Sequence, residues 1–344
     1  MIARCSIIPP NVLSRIAANG NAAQRDAALS TLATDQTMRL VRATYQLMES
    51  GAHKVLMSAA PAAKQRTVYD AQHREALPGR VVRTEGAAAG KDAAVNEAYD
   101  GLGATYDFYA AAYDRNSIDD EGMHLDASVH YGTRYDNAFW NGQQMVFGDG
   151  DGDLFNRFTA ALDVIAHELT HGVTGDEARL VYTGEAGALN ESVSDVFGSL
   201  VKQHARGQKA QDADWLIGQG LFTSKVRGIA LRSMKAPGTA NQFDRQPKDM
   251  DGFVVTNRDN GGVHTNSGIP NKAFYLAATA LGGFAWETAG RIWYAAMNDA
   301  RLRPNSRFAA FAQATIRAAT TIGGGADSDA AKAVTEAWRT VKVL

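Results

Sequence analysis

The sequence predicts an α+β fold: a mixed β/α N-terminal half and a mainly α C-terminal half, joined by one central helix and preceded by a small helical segment. Three observations predict it. Strand-like stretches cluster between residues 80 and 147, around one long helical pattern. Beyond residue 190 the apolar positions recur at helical spacing, with glycines as punctuation. Between the two halves lies 163–173, where Val164, Ile165, Leu169 and Val173 mark a helix that is buried in any case.

In order, Asn11 is placed to cap a short helix ending at Asn19–Gly20, and a second helix is expected from Thr34 or Asp35. There Met38, Val41, Tyr45 and Met48 share one stripe that needs an apolar partner. The stretch 49–66 contains Pro61 among alanines and reads as a linker and cleavage region. Residues 80–84 suit a strand, 91–115 a long helix with Tyr99, Leu102, Tyr106 and Tyr109 on one side, and 125–131 and 143–147 two further strands. His124 and His130 read as surface or sheet residues without a partner at ligand spacing. Asp149–Gly150–Asp151–Gly152–Asp153 invites a calcium-loop reading. An EF-hand needs Gly and Glu where Leu154 and Ala160 stand, so a polar turn feeding the central helix is expected. Helices follow over 190–204, where Asn190 is placed as the cap, and over 214–222, 274–281, 286–298, 306–320 and 327–341, the last with Ala330, Val334, Ala337, Trp338 and Val341 as its apolar stripe. Residues 243–266 form a long polar connection, a length that usually means function.

Composition bounds the function. At 344 residues the chain is long enough for two domains. A net charge of −2 gives no bulk attraction to nucleic acid or an anionic membrane, and neither partner is expected. No run approaches the ~18 apolar residues of a membrane-spanning helix, and a monomer is expected. Cys5 is the single cysteine, so no intramolecular disulfide forms. Pro9–Pro10 interrupts the N-terminus before an apolar leader develops, which suggests a cytoplasmic protein or export by a non-classical route.

The central helix carries the chemistry. In His167–Glu168–Leu169–Thr170–His171 the two histidines are four residues apart, on one helix face, and can present two imidazoles to one zinc ion. Glu168, beside the first histidine, is placed to act on a water at the metal without being a ligand. Thr174 and Glu177 stand where a metzincin has glycine and a third histidine, which excludes that class. The next helix offers Glu191, 20 residues after His171, and Asp195 one turn further on the same face. A ligand carboxylate with a second carboxylate to brace a ligand imidazole suits that pair.

Together, His167–His171, Asn190–Glu191–Ser192–Val193–Ser194–Asp195 and the run 259–268, with Asp259, His264 and Gly268, resemble the thermolysin-like zinc metallopeptidases. Asn137 to Gly142 fits the same pattern. The resemblance runs from about residue 68 to the C-terminus. The short N-terminal segment with Cys5 to Pro10 is similar to the protealysin branch, whose propeptides are short.

This resemblance implies a two-domain zincin: a propeptide over 1–50 with its boundary between 45 and 64, an N-terminal peptidase domain over 51–175, and a helical domain over 176–344. It implies one catalytic zinc on His167, His171 and Glu191, with Asp195 bracing an imidazole. Glu168 would be the general base, His264 and Tyr182 the oxyanion donors, and Asp259 the group that orients His264. Asn137, the Ala138 backbone and Arg232 would hold the substrate main chain, and Phe155, Phe158, Val164, Ile217 and Leu231 would form an apolar pocket. The expected activity is zinc-dependent neutral endopeptidase action on protein or peptide substrates, before bulky apolar residues, from a precursor that removes its own propeptide. Calcium is expected to be lost at the family's double site, where Lys202, Leu216 and Gln219 accompany Asp163 and Asp214; calcium elsewhere is left open. The thiolate of Cys5 is a candidate latency ligand to zinc. A scaffold that has lost turnover and an exopeptidase on the same zinc plan are the rival readings.

Overall fold

The computed structural model describes residues 6–49 and 63–344, the backbone alone for 38–49. Cys5 and residues 50–62 of the expected linker lie outside the described residues, and so do the side chains of the Met38–Met48 stripe.

The N-terminal segment is two packed helices, α1 (Pro10–Asn19) and α2 (Ala22–Glu49). Asn11 does not cap α1: Pro9 holds the cap position and Pro10 the first helical one, where its missing N–H costs nothing. α2 begins well before Thr34. Asn21 and Gln24 satisfy each other's backbone N–H through their side chains, both at 3.0 Å, a reciprocal cap that starts the helix. Thr34 and Asp35 are buried mid-helix instead, where they reach the neighbouring half.

A five-stranded sheet follows, from β1 (Arg66–Asp70), β2 (Arg80–Thr84), β3 (Leu125–Val129), β4 (Ala138–Trp140) and β5 (Gln144–Phe147), in the order β2-β1-β3-β5-β4. β1, β3 and β5 run parallel, while the outer strands β2 and β4 are antiparallel to their neighbours. α3 (Ala93–Tyr113), capped by Asp92, buries Tyr99, Leu102, Tyr106 and Tyr109. The Asp149–Asp153 stretch is a polar turn: Asp151 Oδ1 accepts the N–H groups of residues 153, 154 and 155 at 2.9, 2.7 and 2.9 Å. His130 differs from expectation, because Asp149 and Asp92 face its two ring nitrogens, each at 2.9 Å. Both come from distant segments, which spacing along the chain cannot reveal.

The central helix is α4 (Leu162–Asp176), whose side chains from Asp163 to Thr174 are buried apart from Gly172. α5 (Gly184–Arg206) packs along it, and starts before Asn190, so Asn190 is interior and not a cap. Residues 214–222 are not a helix. Trp215, Gly218 and Gly220 take positive φ, and Leu216–Ile217 (β6) pairs with Arg232–Ser233 (β7). The 243–266 connection ends in α6 (Asp259–Asn266), whose first residues through Gly262 are left-handed. α7 (Gly268–Leu281), α8 (Ala289–Met297), α9 (Phe308–Gly323) and α10 (Asp329–Thr340) complete the helical half. The whole apolar stripe of α10 is buried. Among the described residues no helix is long and apolar enough to cross a membrane.

Candidate metal centre and cleft

Helix α4 brings His167 and His171 onto one face, and α5 supplies Glu191 opposite them. Gly198 permits that approach: a Cβ there would lie 2.5 Å from the Asp163 carbonyl and 3.3 Å from the His167 Cβ. The two imidazole Nε2 atoms are 3.1 Å apart, and each is 3.5 Å from a Glu191 oxygen. All three side chains are buried. The other ring nitrogens are taken. His167 Nδ1 meets Asp195 Oδ1 at 2.8 Å, while His171 Nδ1 meets Asn190 Oδ1 at 2.8 Å and Ser194 Oγ at 2.9 Å. The Nε2 lone pairs are thereby aimed at one point. Burial lowers the His171 pKa to about 3, so its imidazole is neutral and ready to bind a cation. Glu191 Oε2 has no hydrogen-bond partner among the described residues, an orphan that a cation at this point would satisfy. The three residues therefore fit zinc.

Glu168, on the same helix, accepts the Trp140 N–H at 3.0 Å through Oε2. Tyr182 donates to Glu191 Oε1 and lies 3.2 Å from His264 Nε2. Asp259 holds His264 twice, at the ring Nδ1 (2.6 Å) and the backbone N–H (3.0 Å). Burial alone would lower the His264 pKa, but the carboxylates of Asp259 and Glu191 outweigh it and raise it to about 9. At neutral pH His264 is thus a cationic donor.

Arg232 has a double role. It grips Asp195 through Nε (2.9 Å) and Nη2 (2.8 Å), and Asn271 adds a third hydrogen bond to that carboxylate at 2.8 Å. The sequence pattern gave Asn190, Ser194 and Asn271 no role at the metal centre. The first two fall one turn apart on α5, a signal obscured by taking Asn190 for a cap.

The N-terminal segment occupies the cleft. Ile7 N–H donates to the Ala138 carbonyl (3.2 Å) on edge strand β4, and Ile8 N–H to Asn137 Oδ1 (2.9 Å). Arg232 Nη1 donates to the Ile7 carbonyl and His264 Nε2 faces the Ser6 carbonyl, both at 3.2 Å. From α2, Asp35 accepts from Tyr135 and from Asn137 Nδ2. Ile7 and Ile8 join one continuous core with Phe155, Phe158, Val164, Ile217 and Leu231. Only Leu231 of these five lines a small cavity beside the segment, which it shares with Pro9, Val12 and Arg232.

Asp136, beside Asn137, is fully buried, and among the described residues neither carboxyl oxygen has a hydrogen-bond partner. Burial, reinforced by Asp151, raises its pKa from 3.8 to about 8. A carboxyl raised in the folded state holds its proton there after the unfolded chain has released it. The contribution of this group to stability is full below pH ~4 and falls as pH rises towards 8, by up to about 1.4 kcal/mol per pH unit. Asp136→Asn should flatten that fall in urea titrations between pH 5 and 8; an unchanged slope would assign it to other groups.

A two-domain fold with a His–His–Glu zinc site at the junction and a glutamate next to the first histidine defines a zinc metallopeptidase. The model described as thermolysin metallopeptidase, catalytic domain, matches residues 24–175, and that described as thermolysin metallopeptidase, alpha-helical domain, matches 178–343, so the chain belongs to the thermolysin family. Within it the chain is of protealysin type. The precursor of protealysin, a metalloproteinase from Serratia proteamaculans, superposes with a TM-score of 0.88 at 51% identity, covering 99% of this chain and 100% of that one. An extracellular metalloprotease of Pectobacterium carotovorum subsp. carotovorum is 51% identical over 98% of this chain and 96% of its own length. A bacillolysin of Brevibacillus brevis is 42% identical over 80% of this chain and 50% of its own. The chain is a metalloendopeptidase of a zinc-dependent family. The cytoplasmic location expected from the N-terminus is overturned, because so similar a relative is named extracellular, which points to secretion.

Proposed function

We propose that this chain is the latent precursor of a neutral zinc endopeptidase that cuts before bulky apolar residues, and that residues 1–50 are its propeptide, with the boundary between 45 and 64. Residues 51–175 and 176–344 are then the two peptidase domains. One observation carries the reading: the Ser6–Ile7–Ile8 main chain hydrogen-bonds to Asn137, Ala138, Arg232 and His264, the groups that would hold a substrate. In that register the Ser6 carbonyl faces the oxyanion donor, and a buried, bulky Ile7 follows it.

His167, His171 and Glu191 would hold the zinc ion, which when bound would supply Lewis-acid activation of water and of the scissile carbonyl. Glu168 takes the water's proton and returns it to the leaving amine. His264 and Tyr182 donate to the carbonyl oxygen as negative charge develops. Asp195, gripped by Arg232, keeps the His167 imidazole in the tautomer whose Nε2 is a ligand.

The test is casein hydrolysis with and without a zinc chelator. Internal cuts by mass spectrometry support an endopeptidase, terminal trimming favours an exopeptidase, and no chelator-sensitive cleavage favours a scaffold. Latency has its own check. Burying Ile7 contributes ~1.5–3 kcal/mol, so Ile7→Asp should raise the activity of the uncut precursor roughly tenfold to a hundredfold. Unchanged latency would remove Ile7 from the blocking contact. The Cys5 thiolate as a further latency ligand is tested by Cys5→Ala, which would leave latency and maturation unchanged if the thiol is idle.

A further inference from the structure

A second cluster of ligand-type side chains stands apart from the catalytic cleft. β1, β3 and β5 are adjacent parallel strands, and just past their C-terminal ends come His73, His130 and Asp149. Loops at that end of parallel strands are where α/β sheets gather ligands. Asp149 places both carboxylate oxygens 2.9 Å from His130 Nδ1, and Oδ2 lies 3.6 Å from His73 Nδ1. One donor atom from each of the three lies within 4.8 Å of the other two, against about 3.4 Å for the edge of a tetrahedron with ~2.1 Å bonds.

Two further features distinguish this from a chance surface cluster. The far nitrogen of His130, Nε2, meets Asp92 Oδ2 at 2.9 Å, while Asp92 Oδ1 caps α3. A carboxylate on the far nitrogen is how metal-binding imidazoles are oriented, and it leaves Nδ1 facing His73 and Asp149. The loops are also fixed to each other: His73 N–H donates to the His130 carbonyl at 2.8 Å, and both histidines hold positive φ, 58° and 55°. The His73 side chain is 62% exposed, so solvent reaches the cluster and can complete a coordination shell.

We propose that His73, His130 and Asp149 form a second, non-catalytic site for a first-row divalent cation of the zinc class, oriented by Asp92. Two imidazoles and one carboxylate are a donor set for such a cation rather than for calcium or magnesium, which take oxygen ligands. The site ties together the ends of three strands. It also touches the cleft indirectly, since Gly148, the neighbour of Asp149, donates its N–H to the Asn137 carbonyl at 3.0 Å.

The test is zinc titration of the full-length chain carrying Glu168→Gln, so that it stays uncut, by calorimetry together with elemental analysis. The expected result is two zinc ions per chain, the second bound more weakly than the first. His73→Ala, a change at an exposed side chain, should abolish the second zinc and leave the first in place. Asp92→Asn should weaken the second site tenfold or more. One zinc per chain with zinc in large excess would overturn the proposal and leave His130 as an ion-paired structural residue. A second zinc that persists in His73→Ala would overturn it equally.

Discussion

Glu168→Gln should lower casein hydrolysis by roughly a hundredfold to ten-thousandfold, the span that general acid–base groups contribute, while zinc content and melting temperature stay at wild-type values. The substitution isolates the chemistry. Glutamine keeps the shape of the fully buried side chain and an oxygen to accept the Trp140 N–H, now at 3.0 Å, but it cannot take a proton from water. His167 and His171 keep their braces on Asp195, Asn190 and Ser194, so metal retention and turnover separate in one variant. The same protein tests maturation. If the enzyme removes its own propeptide, the Glu168→Gln chain should remain full length until mature wild type is added, and sequencing the new N-terminus then gives the cut. Near-normal hydrolysis by Glu168→Gln would assign the base to another residue; normal maturation with lost hydrolysis would assign the cut to another protease.

The legible parts of this protein were those in which one short stretch holds both partners of an interaction. The i, i+4 histidines need only a helix, and the apolar sides of α3 and α10 follow from periodicity. What escaped was set by contacts between distant segments. Leu216–Ile217 is a strand because β7 pairs with it and Trp215 and Gly218 turn the chain; a short apolar run cannot state that alone. Asn190 reads as a cap in isolation, but α5 starts earlier and Asn190 is spent on His171. Asp35 looks like a helix start, yet its carboxylate reaches Asn137, 102 residues away. The His73–His130–Asp149 cluster was invisible for the same reason, since three strand ends had to be brought together first.

Lys202→Met should lower stability by about 3 to 5 kcal/mol, the usual cost of removing one partner from a buried ion pair, and the melting temperature by on the order of 10 °C. Lys202 is 3% exposed, and its Nζ donates to Asp163 Oδ2 at 2.8 Å, Asp214 Oδ1 at 2.8 Å and the Leu216 carbonyl at 2.6 Å. Burial by itself would depress the lysine pKa, but Asp163 and Asp214 outweigh it and raise it, so the ammonium is present throughout the neutral range. We read this cation as the occupant of the place where related enzymes of the family bind two calcium ions. Lys202→Glu separates charge from packing. It would set a third carboxylate beside Asp163, Asp214 and the Leu216 carbonyl, an all-oxygen cluster of the kind calcium takes. In chelator that variant should be less stable than Lys202→Met, and added calcium should restore part of the loss. Wild type should not respond to calcium at this site; tight binding lost with Asp163→Asn would refute the reading. The zinc centre should feel the change as well. Asp163 lies one turn before His167 on the same face of α4 and also accepts the Gly218 N–H at 3.1 Å, so Lys202 ties α5 and the β6 turn to the start of the metal-binding helix. Faster zinc loss from Lys202→Met than from wild type, at a temperature where both remain folded, is the expected sign that this ammonium holds the catalytic helix in register.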